Sequence, residues 1–296
     1  MEKKLLFVYN PHSGKAHIKT YLAEIIEIYT KHGYCVTVHP TSRPNDGFVY
    51  MKENAKFYDL VSVCGGDGML NEAVNALMTL PEDKRVSLAY LPSGSTNDFA
   101  GSVGLPTDLR QSAQMAVEGK PFFCDAGKFN DRYFAYVAAF GAFTSVAYDT
   151  SQEFKNVFGH MAYIMEGIRS LPNIHSYPVK IMTDGKVIED EFLFGMVTNS
   201  FQVGGIKHCT GAAVSLNDGL FEVLLVKQPQ NPIEFQAAVT ALLSENLESK
   251  HLIRLKTSSI VIESEEPLGW TLDGEFGGNV KKADIKNIQN GFSVIV

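Results

Sequence analysis

Residues 5–9, Leu-Leu-Phe-Val-Tyr, are apolar without a break, the pattern of a strand covered on both faces. Residues 34–39, 60–64 and 86–91 also read as strands, each mostly apolar with one or two polar positions. Between these runs the apolar positions change to helical spacing. Over 17–32 they fall at Ile18, Tyr21, Leu22, Ile25 and Tyr29, and Gly33 stands where a helix C-terminal cap belongs. A weaker helical pattern covers 46–56. Stronger ones cover 69–78, ending before Pro81, and 109–118. Strand and helix alternate four times, which predicts a parallel sheet with helices on both faces. Ligands of such sheets sit beyond the carboxyl ends of the strands. The four loops there are 10–15, the region of Thr41, 65–68 and 93–97, and they are expected to converge on one crevice.

After Gly119-Lys120-Pro121 the pattern changes to strand-like segments joined by short turns. Asp184-Gly185 separates two alternating runs and favours a type I′ hairpin turn. Residues 192–197 and 220–226 are further apolar strands. One amphipathic stretch, 157–171, carries Val157, Phe158, Met161, Ile164, Met165, Ile168 and Leu171 at helical spacing. It reads either as core or as a membrane-facing helix. With Phe140 and Phe143 it could line an apolar route. Asn231-Pro232 opens a short helix. Near the end, Leu268, Trp270 and Leu272 alternate with Gly269, Thr271 and Asp273, a half-buried strand with Trp270 in the core. If that strand continues through Gly274, the carboxylates of Asp273 and Glu275 point the same way. A turn at Gly274 would part them. An α/β domain over 1–122 and a β-rich domain over 123–284 follow.

Composition narrows the class. Of 296 residues, 45% are hydrophobic and 20% charged, as in an ordinary soluble globular protein. The formal net charge of −7 argues against nucleic acid as a partner and against gripping an anionic membrane over a broad face. Cys35, Cys64, Cys124 and Cys209 are scattered without CxxC spacing, so neither zinc nor a disulfide framework is expected, and a reducing cytosol fits. No apolar stretch approaches the ~18 residues of a membrane span. The start of the chain runs into a strand without a signal-peptide core.

Candidate chemistry centres on Gly65-Gly66-Asp67-Gly68. Glycines at a strand-to-helix junction allow close backbone approach to a ligand, and the helix that follows directs N–H groups and its positive dipole end there, which suits phosphate. Asp67 would repel phosphate, so it either handles a metal or a reacting hydroxyl, or simply caps a turn. Neither GxxxxGK[ST] nor GxGxxG after the first strand is present. Asp125 could cap a turn beside Gly127, and Asp218 in Asn217-Asp218-Gly219 could belong only to a hairpin. Lys15 suits either solvent or phosphate. His12, His160 and His208 lack ligand spacing and read as surface or loop residues.

Six motifs in order resemble the diacylglycerol kinase and sphingosine kinase superfamily, and among its members the small soluble bacterial lipid kinases. They are Asn10-Pro11-His12-Ser13-Gly14-Lys15, then Gly65-Gly66-Asp67-Gly68 with Asn71-Glu72, then Pro92-Ser93-Gly94-Ser95-Thr96-Asn97-Asp98-Phe99. Asp125-Ala126-Gly127, Asn217-Asp218-Gly219 and Asp273-Gly274-Glu275 complete the set. The resemblance implies a Rossmann-like, doubly wound nucleotide-binding α/β domain and a C-terminal β-sandwich domain, with the active site in the cleft between them. The tail, about 285–296, would return to the first domain. It implies ATP and Mg²⁺ as cofactors and transfer of the γ-phosphoryl group to a lipid hydroxyl, first of all diacylglycerol. It places the chain in the cytoplasm, in peripheral, transient contact with the inner face of the membrane, and allows a homodimer.

Residue by residue, Asn10, Pro11, His12, Ser13 and Gly14 with Gly65, Gly66, Asp67, Gly68, Met69, Leu70 and Asn71 resemble the phosphate cradle. Thr41, Ser95 and Asn97 resemble further nucleotide contacts. Asp67, Asp125 and Asp273 resemble a linked carboxylate network near the reacting hydroxyl, and Glu275 resembles the proton acceptor. Asp218 with the backbone carbonyls of Ser215 and Leu220 resembles a structural Mg²⁺ site. Met69 departs from the threonine common after the glycine loop, and Ser93 and Ser95 make the second loop richer in hydroxyls. Two other readings remain: a kinase of a soluble acceptor, as in NAD kinases, and a non-catalytic nucleotide or lipid sensor.

Overall fold

A computed structural model describes residues 2–141, 176–204, 206–207, 214–231, 233–234, 237–238, 241 and 249–296. The stretch 157–171 and Phe143 lie outside the described residues. The chain divides into two compact units, residues 1–126 with 290–296, and residues 127–289. The first unit therefore runs four residues past the expected 122, and the returning tail is shorter than 285–296.

In the first unit the expected alternation forms. The strands are β1 (Lys3–Tyr9), β2 (Tyr34–Pro40), β3 (Leu60–Gly65) and β4 (Ser87–Pro92). The helices are α1 (Ile18–Lys31), α2 (Asp46–Asn54), α3 (Asp67–Met78), α4 (Asp98–Val103) and α5 (Leu109–Glu118). All four strands are parallel, in the order β2-β1-β3-β4. The chain steps outward from β1 to β2 and then crosses back to β3. Right-handed crossovers therefore put α1 on one face and α2 and α3 on the other. Leu5, Phe7, Tyr9 and Cys64 pack with Ile18, Ile25, Tyr29, Leu109 and Ala113 in one core. Leu6, Val8, Val61 and Val63 alternate with them and are equally buried, so both faces are covered.

β5 (Pro121–Phe129) begins in the first unit and ends in the second. There follow β6 (Arg132–Phe134), β7 (Val137–Gly141), β8 (Tyr177–Thr183) and β9 (Lys186–Thr198). Next come the two-residue strands β10 (Gln202–Val203) and β11 (Ile206–Lys207), then β12 (Phe221–Lys227), β13 (Leu252–Thr257), β14 (Ser259–Leu272) and β15 (Glu275–Ile295). Pairing within the second unit is antiparallel. β9 and β14 are long enough to pair twice, one half with β8 and the other with β7, which bends the sheet around one core. Trp270 fills that core, with Phe129 and Phe140 each 5.0 Å from it between ring centroids. Phe140 is fully buried there, so it is core and does not line a lipid route. The Asp184-Gly185 hairpin forms as expected, both residues at positive φ.

The end of β15 rejoins the first unit. Val294 lies beside Leu88 in parallel, Arg85 donates to the Gly291 carbonyl at 3.0 Å, and Lys120 and Val296 exchange backbone bonds of 2.9 and 3.0 Å.

Candidate active site

Strand register decides where the loops of the first unit meet. Tyr9 is level with Pro40 on one side and Cys64 on the other, and Gly65 is level with Pro92. The loops after β1, β2, β3 and β4 therefore leave the same edge of the sheet. Strand order reverses between β1 and β3, and the loops 10–14 and 65–68 flank that switch point.

These loops touch through backbone. Ser93 donates its N–H to the Gly65 carbonyl at 2.8 Å, and Asn10 donates its N–H to the Cys64 carbonyl at 3.0 Å. Gly14 has φ +54°, and a Cβ there would stand 1.9 Å from the Ser93 carbonyl oxygen. A Cβ on Gly94 would meet the Gly66 Cα at 2.7 Å. The junction admits no side chain at either position, so the loops pack backbone to backbone there. Ser13 Oγ donates to the Ser93 carbonyl at 3.2 Å and accepts from Ser93 Oγ at 3.1 Å. Asn97, at φ +53°, braces its own loop: its Oδ1 accepts from Gly94 N–H and its Nδ2 donates to the Gly94 carbonyl, both at 2.9 Å. If the nucleotide sits at this junction as the motifs imply, Gly94→Ala should force the two loops apart and weaken ATP binding about tenfold, roughly 1.4 kcal/mol of loop ordering shifted onto the ligand. Calorimetric titration of the folded variant with Mg-ATP checks it.

The other residues expected at the cradle divide. Asn10 Oδ1 accepts from His12 N–H at 2.9 Å, and Thr41 donates both its N–H (2.9 Å) and its hydroxyl (3.4 Å) to the Tyr9 carbonyl. Asp67 opens α3 half-buried, with Gly66 as the N-cap. Its charge lies close to Tyr90, whose phenol is pushed well above its ordinary range, first by burial and then by Asp67. Met69 and Leu70 are buried and both give their N–H groups to the Gly66 carbonyl, at 3.0 and 3.2 Å. Met69 turns its thioether toward α2, since a Cβ on Gly47 would lie 3.3 Å from its Sδ. Asn71 is buried within α3, bonded to Asn75. Ser95 is exposed and Pro11 is half-exposed.

Asp125 is fully buried, and its Oδ1 accepts the N–H of Asn290 at 2.8 Å, where the returning tail enters the first unit. In the second unit, Asp273 and Gly274 form the two-residue turn of the β14–β15 hairpin at φ +50° and +83°, and Leu272 faces Glu275. The turn parts the two carboxylates. Asp273 is buried; its Oδ2 accepts from Ala135 N–H at 2.7 Å and its Oδ1 from Tyr136 and Val137 N–H at 2.9 and 3.1 Å. Glu275 is exposed on the other side of the turn.

Asp218 is exposed, and its Oδ1 accepts from Leu220 N–H at 3.0 Å. Nearby Glu222 is buried and paired with Lys256 at 2.8 Å. Burial, more than the Asp218 charge, pushes its carboxyl above the usual range. The carboxylate of Asp218 and the carbonyls of Ser215 and Leu220 are all oxygen donors of the kind Mg²⁺ takes, and the exposure leaves room for waters. Among the described residues no three His, Cys, Asp or Glu side chains cluster as metal ligands.

Residues 4–129 match the family model described as the diacylglycerol kinase catalytic domain. Residues 137–286 match that of the YegS C-terminal NAD kinase beta sandwich-like domain. A diacylglycerol kinase of Bacillus subtilis is 34% identical over 278 residues, covering 93% of this chain and 91% of its own. One of Staphylococcus carnosus is 33% identical over 296 residues, covering 99% and 95%. The chain belongs to the diacylglycerol kinase family. A crystal structure of a diacylglycerol kinase from Bacillus anthracis superposes with a TM-score of 0.81 at 30% identity, over 99% of this chain and 96% of that one. Family membership bears out the α/β catalytic domain and the C-terminal β-sandwich expected from the motifs. No helix among the described residues is long and apolar enough to cross a membrane.

Proposed function

We propose that this chain is an ATP-dependent lipid kinase that phosphorylates diacylglycerol to phosphatidate. The observation that carries the reading is the close backbone packing at Gly14, Gly66 and Gly94 at the switch point of the first unit, in a chain that aligns over nearly its whole length with diacylglycerol kinases. Phosphoryl transfer needs little covalent chemistry from protein; it needs positioned phosphates and neutralised charge. The backbone of 10–14, 66–68 and 93–94 and the head of α3 would hold the phosphates. Mg²⁺, when bound, supplies charge neutralisation at the transferring group.

Glu275 is the proposed proton acceptor for the lipid hydroxyl. It is exposed, whereas Asp273 and Asp125 are buried and bonded to backbone amides. Asp273 is proposed to set the turn that presents Glu275, and Asp125 to anchor the returning tail. Asp67 remains the carboxylate at the cradle itself. Asp218, with the Ser215 and Leu220 carbonyls, would hold a structural Mg²⁺. Asp218→Ala should lower Tm by a few °C, about 1 kcal/mol in a unit of this size, and raise the Mg²⁺ requirement while leaving ATP affinity nearly unchanged. Melting curves across a Mg²⁺ series check it.

The lipid is met at the membrane surface. Drawing both acyl chains into water costs about 0.8 kcal/mol per CH₂, so a peripheral, transient contact is the economical route. The decisive experiment is labelled ATP with diacylglycerol, monoacylglycerol, sphingoid base and undecaprenol as dispersed acceptors. Transfer to diacylglycerol is expected. Transfer to none of them sinks the lipid-kinase reading, and efficient conversion of NAD⁺ to NADP⁺ would put the soluble-acceptor reading in its place.

A further inference from the structure

Both carboxylate oxygens of Glu72, on α3, reach α2. Its Oε1 accepts the N–H of Asn45 at 3.0 Å and its Oε2 the N–H of Phe48 at 3.0 Å. Both amides belong to the start of α2, whose own N-cap, Asn45, makes no side-chain cap bond and sits at φ +63°. The helix thus receives its cap from another helix. Packing fixes the distance: a Cβ on Gly47 would stand 2.8 Å from Glu72 Oε2 and 3.3 Å from Met69 Sδ, so α2 lies against α3 at the closest approach glycine permits.

The loop between β2 and α2 is tied down from the same point. Asp46 Oδ2 accepts from Ser42 N–H at 2.7 Å and from Ser42 Oγ at 3.0 Å, and His39 Nε2 lies 3.6 Å from the same oxygen. His39 stacks on Tyr50 with ring centroids 3.8 Å apart. At its other end the loop is fixed to β1 through Thr41 and the Tyr9 carbonyl. A carboxylate on α3, five residues after Asp67, therefore holds in place the loop that carries Thr41.

We propose that Glu72 is a positioning residue for nucleotide binding: it clamps the first turn of α2 to α3 and so holds the 41–45 loop in register with the glycine loop that opens α3. The inference rests on the nucleotide part of the proposed function and not on the identity of the lipid. A single carboxylate with both oxygens spent on amides of one partner helix is a two-point clamp, and charge-assisted bonds of this kind are about twice as strong as neutral ones. Without it, the nucleotide itself must order the loop, and that cost falls on affinity, not on the chemical step.

The test compares Glu72→Ala, Glu72→Gln and a control, Tyr29→Phe. The control removes the buried Tyr29–Ser62 hydrogen bond of 2.7 Å and destabilises the same unit without touching α2. Mg-ATP affinity is read by titration without lipid, KM for ATP and kcat with dispersed diacylglycerol, and deuterium uptake on a peptide spanning 40–50. Glu72→Ala is expected to raise the Kd and KM for ATP about tenfold, leave kcat and the lipid KM within about threefold, and speed exchange over 40–50. Glu72→Gln, which keeps one acceptor, should fall between. Tyr29→Phe should lower Tm without moving the ATP terms. Unchanged ATP affinity in both Glu72 variants overturns the inference. So does a loss matched by Tyr29→Phe at equal Tm. A wild type that binds ATP but transfers nothing to diacylglycerol would defeat the lipid assignment and leave the clamp to be judged on affinity and exchange alone.

Discussion

Glu275→Gln should lower turnover on diacylglycerol about 10²- to 10⁴-fold, the usual contribution of a positioned general base, while leaving the protein folded. The side chain is exposed beyond the β14–β15 turn, so its loss should shift stability by no more than about 0.5 kcal/mol. ATP affinity should be unchanged, because the proposed phosphate cradle is built from loops of the first unit. Initial rates and a melting curve on the same preparation check both halves. Near-normal turnover would remove Glu275 from the role of proton acceptor. A collapse in Tm would show that it supports the hairpin instead.

Asp273→Ala should do the reverse, costing stability first. The change removes one buried carboxylate and leaves three buried amides, those of Ala135, Tyr136 and Val137, without their acceptor. Each such bond to a charged group is worth about 1.5–3 kcal/mol, and three donors sharing one carboxylate add to less than the sum. A loss of at least about 4 kcal/mol is expected, a fall in Tm on the order of 10 °C. Asp273→Asn keeps one acceptor oxygen but turns an amide N–H₂ toward backbone donors, so it should recover only part of the loss. Turnover should fall in parallel with the folded fraction and the disordering of the turn. Scanning calorimetry of both variants, with activity at a temperature where each is folded, separates the roles. Full stability with abolished turnover would make Asp273 a catalytic carboxylate after all.

The contrast between these two residues shows where sequence reasoning stops. Asp273 and Glu275 look equivalent along the chain, two acids two apart on the polar parity of a strand. The positive φ of Asp273 and Gly274 puts the turn between them, one carboxylate going into the second unit and the other to solvent. Asp-Gly signals such a turn, as it does at Asp184-Gly185. Nothing in the local sequence says that the Asp273 side chain meets amides more than a hundred residues earlier.

Glu72 is a similar case. As part of the motif after the glycine loop it invites a role at the phosphates, and only the pairing of α2 with α3 reveals its two amide partners. Phe140 was equally ambiguous, since an apolar residue at a strand end suits a lipid surface as well as a core. The packing of Trp270 decides for the core.

By itself, the sequence determined what depends on near neighbours. Apolar runs and helical spacing fixed β1 to β4, α1 and α5 to within a residue or two, because periodicity is a local consequence of which face is buried. The order of the glycine, aspartate and asparagine motifs, taken with that alternation, placed four loops at one sheet edge and marked the family. Tertiary structure alone decided which acids are free to act. Asp125, Asp273 and Glu72 accept backbone N–H groups brought to them by distant strands and helices, and a hydrogen bond across 165, 138 or 27 residues has no signature in the spacing of the chain.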